Sequence, residues 1–160
     1  MPSVNTPKSG HAGPAPLPGG HQYLPYTDTK FVAVLNDALA IIQDKIKGYK
    51  ACDEAFKALP GGRSFSAVFM DPAVWINFDP TRRLKDYGAT RGNDITITAY
   101  SLAMGRWTVA ATLVHEMAHV NGAPGDTHAA EATLRHCLLK DLENPAIIGE
   151  IIQSTRFRIA

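Results

Sequence analysis

Residues 107–122, WTVAATLVHEMAHVNG, leave the chain fewest options. Val109, Leu113, Met117 and Val120 recur at helical spacing and predict a buried stripe. Gly122 suits a left-handed helix terminus, and Pro124 prevents the helix from resuming. The same turns carry His115, Glu116 and His119 as an H-E-x-x-H segment. Residues four apart on a helix differ by about 40° around its axis, so both imidazoles leave from one face. Neutral imidazole is a good ligand for a divalent transition metal, zinc above all, and two such ligands leave room for a third and for an open position. Glu116, next to the first histidine, is placed to act as general base toward a water on the metal. Four of the six histidines fall between residues 115 and 136, which two ordinary surface histidines on a helix would not explain.

The third ligand is open on sequence grounds. His128 follows His119 by nine residues, across a Gly-Ala-Pro-Gly turn that can fold the chain back toward the metal. With His128 as ligand, Glu131 becomes the carboxylate that accepts a ligand N–H and fixes its tautomer. Alternatively Glu131 is the ligand and His128 a capping or surface residue, and Asp126 is a further option. His136 is eight residues beyond His128, roughly 12 Å along a helix, and is too remote.

The rest of the chain reads as scaffold. Residues 1–27 hold six of the eleven prolines, several glycines, and His11 and His21. Such a segment buries too little apolar surface to fold alone, so it is expected to be a disordered tail or linker whose histidines face solvent. The domain proper is residues 28–160. Thr27-Asp28-Thr29 supplies a cap for a long helix with Phe31, Leu35, Ala38, Ile42 and Ile46 on one stripe; Gly48 weakens it, and Pro60-Gly61-Gly62 ends the helical region. Residues 64–70 and 73–78, rich in Phe, Val, Ile and Trp, predict short strands. Residues 79–92 read as a polar loop, and residues 94–99 alternate as a strand with one face buried. After the metal helix, a second helix starts near Asp126 or Thr127 and runs to about residue 142. Asn144-Pro145 then opens a last one. The expected fold is α+β: a long N-terminal scaffold helix, a small and mostly antiparallel sheet, the H-E-x-x-H helix and C-terminal helices.

Composition narrows the partners. With 160 residues and 45% apolar content the chain can build one core, and a net charge of +1 gives no attraction for nucleic acid or an anionic membrane. No apolar run is long enough to span a bilayer. The N-terminus lacks the apolar core of a secretory signal, so synthesis in the cytoplasm, and export only by another route, are expected. Cys52 and Cys137 could form one disulfide, but with no signal segment two buried thiols on separate helices are the preferred reading.

HEMAHVNGAPGDTH resembles the active-site segment of zincin metallopeptidases, over roughly residues 94–139. Its spacing is similar to that of the deuterolysin-like aspzincins, with His128 in the place of their ligand aspartate and Gly125 matching their glycine. A three-histidine set also looks like the SprT/Spartan type. The resemblance implies a zincin-like fold, bound zinc held by His115, His119 and His128, and hydrolysis of peptide bonds with Glu116 as base. It also implies that the strand at residues 94–99 forms the cleft edge on which substrate pairs. Tyr87, Tyr100 or Arg135 are candidate donors to the developing oxyanion.

The expected function is therefore a zinc-dependent amide hydrolase acting on protein, peptide or a peptide cross-link of the bacterial wall. A small catalytic domain with a tail and no signal suits a toxin or effector delivered by a specialised secretion system, with a carrier or an immunity protein as partner. The rival is a non-catalytic, zinc-stabilised binding domain. A structural zinc site needs four protein ligands and has no use for a glutamate beside the first histidine.

Overall fold

A computed structural model describes residues 1–137. The helix expected after Asn144-Pro145, and the stretch to residue 142 of the one before it, lie outside the described residues. Helix α1 (Thr29–Lys45) begins where its cap predicts: the Asp28 carboxylate accepts from the Lys30 N–H at 2.8 Å. It buries Leu35, Ala38, Leu39 and Ile42. After Gly48, at φ +79°, the chain forms α2 (Lys50–Lys57).

Residues 64–70, expected as a strand, form a helix instead, α3 (Phe65–Phe69). The Ser64 hydroxyl accepts from the Ala67 N–H at 3.1 Å, and Phe65, Val68 and Phe69 are buried at helical spacing. The Asp53 carboxylate also accepts from the Ser66 N–H at 2.8 Å, which satisfies a first-turn donor from outside the helix. The aromatic run suits either structure, and these two side-chain acceptors decide for the helix.

The sheet holds β1 (Ser3–Val4), β2 (Trp75–Asp79), β3 (Gly88–Arg91) and β4 (Asp94–Thr98) in the order β1-β2-β4-β3. It is mixed rather than mostly antiparallel: β1 with β2 and β2 with β4 run parallel, and only β3 with β4 is antiparallel. The physical reason lies in residues 79–92, expected as loop. They carry the chain past the position beside β2 and return it as β3, through the two-residue turn Gly92-Asn93 into β4, with Arg91 opposite Asp94. Thus β4 is an interior strand, and β3 is the edge.

Among the described residues three helices follow: α4 (Ala99–Met104), α5 (Arg106–Val120) and α6 (Ala129–Cys137). Helix α5 is the centre of the molecule, packed by α1, α3, α4 and α6 and by β3 and β4. Every residue from Thr108 to Ala118 is buried. Where a single apolar stripe was expected, these turns are therefore covered on nearly every face, and His115 and Glu116 are buried along with the apolar groups except where they open onto a cavity beside β3.

The N-terminal segment departs most from expectation. Residues 1–27, expected to be a disordered tail, form a strap across the polar face of the sheet. Ser3 and Asn5 N–H groups donate to Val74 and Ile76 carbonyls at 2.8 and 2.9 Å, and Leu24 pairs with Phe78. Asn5, Tyr23 and Tyr26 are buried. The histidines are not solvent-facing bystanders. His11 Nε2–H donates to Asp94 Oδ1 at 2.6 Å and His21 Nε2–H to Asp86 Oδ1 at 2.7 Å. Asn77 is fully buried; its amide nitrogen donates to Asp94 Oδ1 at 2.9 Å and its oxygen accepts from Asn5 at 2.8 Å. The Thr96 hydroxyl donates to the Gln22 carbonyl at 2.7 Å. A Pro/Gly-rich segment stays ordered here because the sheet's polar side chains satisfy its backbone.

Cys52 and Cys137, preferred as thiols, are joined in a disulfide between α2 and α6, across 85 residues of sequence. The two helices pack side by side in the core, which brings the two half-cystines together. Among the described residues no helix is long and apolar enough to cross a membrane.

Candidate metal centre

Helix α5 brings three chemistry-bearing groups together. His115 is 7% exposed and Glu116 4%. The Nε2 atoms of His115 and His119 stand 3.2 Å apart, with the rings inclined at 73°. Two nitrogen ligands on a tetrahedral cation, with metal–nitrogen bonds of about 2.0–2.1 Å, would stand about 3.3 Å apart, so the pair fits one divalent ion. Glu116 Oε1 lies 3.9 Å from His115 Nε2. Ligand atoms of His115, Glu116 and His119 all fall within 4.8 Å of one another, as a metal-holding group requires.

The end of the helix orients the second histidine. Gly122, at φ +91°, turns the chain so that the Ala123 N–H reaches the Ala118 carbonyl at 2.9 Å. The Ala123 carbonyl then accepts from His119 Nδ1–H at 2.8 Å. That bond leaves Nε2 with its lone pair free for a cation. The turn is pinned to the scaffold by Asn121, whose amide donates to the Phe56 and Arg63 carbonyls at 2.9 Å each.

The opposite wall is strand β3. Thr90 Oγ1 donates to Glu116 Oε2 at 2.8 Å and lies 3.1 Å from the Glu116 carbonyl. Gly88 lets the strand come this close. A Cβ there would sit 2.7 Å from the Thr96 carbonyl, 3.1 Å from Thr112 Cγ2 and 3.6 Å from Glu116 Cγ. Between β3 and α5 opens a cavity of about 520 Å³, lined by Ala89, Thr90, Asn93, His115, Glu116 and His119 among others. Glu116 is also felt by Tyr23, whose hydroxyl is pushed up to about 12 by burial first and by the Glu116 carboxylate second, with Arg91 opposing.

The structure does not bring His128 to this pair. It is exposed, and it lines a separate cavity of about 270 Å³ with Glu131, Ala132 and Arg135. Asp126 is exposed in the same turn, and His136 is exposed further along α6. Glu131 is the α6 residue that approaches: its Oε1 lies 3.9 Å from His115 Nδ1, the nitrogen away from His119. Its Oε2 is buried with no hydrogen-bond partner among the described residues. Tyr87, Tyr100 and Arg135 do not line the cavity between β3 and α5. Nor does β4 form its strand edge, because β4 is paired on both sides.

Thr90 and Gly88 lie in the stretch expected as a loop, and the sequence pattern does not single them out as part of the site. A signal was present: Gly92-Asn93 directly before an alternating strand is a two-residue hairpin turn, which implies a partner strand ending at Arg91.

No protein-family model matches the chain, and neither a curated protein nor a solved structure matches it. The metal reading therefore rests on the chain's own geometry.

Proposed function

We propose that this chain is a zinc-dependent amide hydrolase of the zincin type, acting on peptide bonds in protein or in bacterial-wall peptide. One observation carries the reading. Two imidazole nitrogens stand at the spacing of ligands on one cation, and a buried carboxylate stands beside them in a cleft with a strand for its wall. His115 and His119 would hold the ion, and Glu131 is the α6 carboxylate placed to support His115. The zinc would supply Lewis acidity and acidify a water molecule in the cleft. Glu116 takes the proton from that water and returns it to the leaving nitrogen. The burial of α5 limits the freedom of the Glu116 side chain while it does so. The outer edge of β3 pairs with no strand among the described residues, which suits a peptide lying extended beside Ala89.

The Cys52–Cys137 bond favours work outside a reducing cytosol, in line with an exported effector. The experiment is zinc analysis of wild type and Glu116→Gln, with hydrolysis of labelled protein and wall-peptide substrates. The expected result is one zinc in both forms and hydrolysis in wild type only, with turnover lower by about 10²-fold or more in the variant. A wild type without zinc, or a Glu116→Gln protein as active as wild type, overturns the reading.

A further inference from the structure

The hydroxyl of Thr90 stands apart from the helix it serves. It belongs to the edge strand β3, yet its one proton points at the base of a buried helix. Three observations bear on what it does. Glu116 is 4% exposed, so its carboxylate has little water to orient it. Oε2 accepts from Thr90 at 2.8 Å, while Oε1 faces His115 Nε2 at 3.9 Å. Gly88, on the same face of β3 as Thr90 and two residues away, leaves room for the strand to approach the helix, since a Cβ there would sit 3.1 Å from Thr112 Cγ2. The Glu116 carbonyl, 3.1 Å from the same hydroxyl, lies within α5, so the carboxylate is the acceptor with more to gain.

We propose that Thr90 is a positioning residue for Glu116: its hydroxyl ties down Oε2, so that Oε1 is the oxygen presented to the reacting water and later to the leaving group. The inference rests on the hydrolase reading above. It also joins the strand that would receive substrate to the base that would act on it.

The test uses Thr90→Val, which keeps shape and removes the hydroxyl, and Thr90→Ser, which restores it. Acetohydroxamic acid is the probe, because it binds a cation as the anion and passes its proton to a neighbouring carboxylate. Its affinity for zinc-loaded protein therefore reports the placement of Glu116 without any substrate. Thr90→Val is expected to bind zinc as wild type does and acetohydroxamate about ten-fold or more weakly, the worth of one charge-assisted hydrogen bond. Thr90→Ser regains most of that affinity. In a Glu116→Gln background the Val substitution adds no further loss, since its effect runs through the carboxylate. Equal hydroxamate affinity in wild type and Thr90→Val overturns the proposal and leaves the hydrolase reading standing. So does additivity with Glu116→Gln, or loss of zinc in Thr90→Val, which would make the residue structural. A wild type that takes up no zinc sinks both.

Discussion

His11 lies flat on Trp75, ring centroids 4.0 Å apart and planes within 3°, while its Nε2–H donates to Asp94 at 2.6 Å. The contact joins the middle of the N-terminal strap to the sheet at two strands, because Trp75 belongs to β2 and Asp94 to β4. His11→Ala removes both the stack and the hydrogen bond and leaves Asp94 short of a donor. A loss of about 1–3 kcal/mol is expected, read as a lower denaturation midpoint in urea. Hydrogen exchange should rise in residues 6–22 before it rises in α5. Exchange that rises evenly through the molecule would show that the strap does not open on its own.

The histidine pair predicts a ranking of zinc affinities. His115→Ala and His119→Ala are expected to lose the ion, since each removes half of the converging nitrogen pair. Glu131→Ala is expected to weaken binding by about 10–100-fold, in keeping with a carboxylate that supports a ligand ring. His128→Ala should bind as wild type does, because His128 faces a different cavity. Competition with a chromogenic chelator gives the order, and a His128→Ala protein without zinc would reverse it.

Gly88 sits where β3 lies close to both β4 and α5. Gly88→Ala would push a methyl group to within 2.7 Å of the Thr96 carbonyl, a backbone atom of the neighbouring strand. The strand has to shift, at a cost of about 1–3 kcal/mol, and Thr90 shifts with it. The expected outcome is a lower melting temperature together with weaker acetohydroxamate binding by the zinc form. A gain in stability would mean that the strand has slack the structure does not display.

Alkali should unfold the protein partly through Tyr23. Burial, and the Glu116 carboxylate after it, push its hydroxyl up to about 12 from an ordinary 10.0. The folded state thus favours the protonated phenol. The resulting stability is present in full below pH 10 and is lost as pH rises from 10 through 12. Tyr26, buried to 2% exposure, is raised as well, by burial alone. Stability measured against pH should fall across that window in wild type and less steeply in Tyr23→Phe. Parallel curves for the two proteins would rule this contribution out.

Reduction removes the covalent link between α2 and α6. The Cys52→Ser, Cys137→Ser double variant is expected to lose about 2–5 kcal/mol, seen as an earlier thermal transition. Because α6 carries Glu131, its zinc affinity should fall as well.

What the sequence made legible was whatever is decided within a few residues. The cap at residues 27–29, the stripe through Leu35 and Ile42, the strand through Ile95-Thr96-Ile97 and the His115–His119 spacing are all local, and each stands where it was expected; but that strand has both faces buried rather than one, Thr96 and Thr98 being covered as fully as Ile95 and Ile97. The strap was not legible, because what orders it is distant: Asn77 and Asp94 lie 72 and 83 residues from Asn5 and His11. Composition alone made it a tail. Phe65, Val68 and Phe69 fit a helix as well as a strand, and the deciding carboxylate of Asp53 lies 13 residues away from Ser66. Thr90 sits in a four-residue strand with no apolar alternation, so its approach to Glu116 follows only from the packing of β3 on α5. The disulfide, likewise, needs the neighbourhood of two helices that the chain visits 85 residues apart.

That cross-link encloses all of β2, β3, β4 and α5, together with the exposed turn around Arg82, Arg83 and Leu84. A protease that nicks the turn therefore produces no separate fragments. The strap and the first helices stay covalently fastened, through α6, to the strands and histidines beyond the break, and one nick costs the molecule continuity of backbone without scattering its parts. On a gel run without reductant such a clipped protein travels as one band, and it resolves into two only when the sulfur bridge is opened.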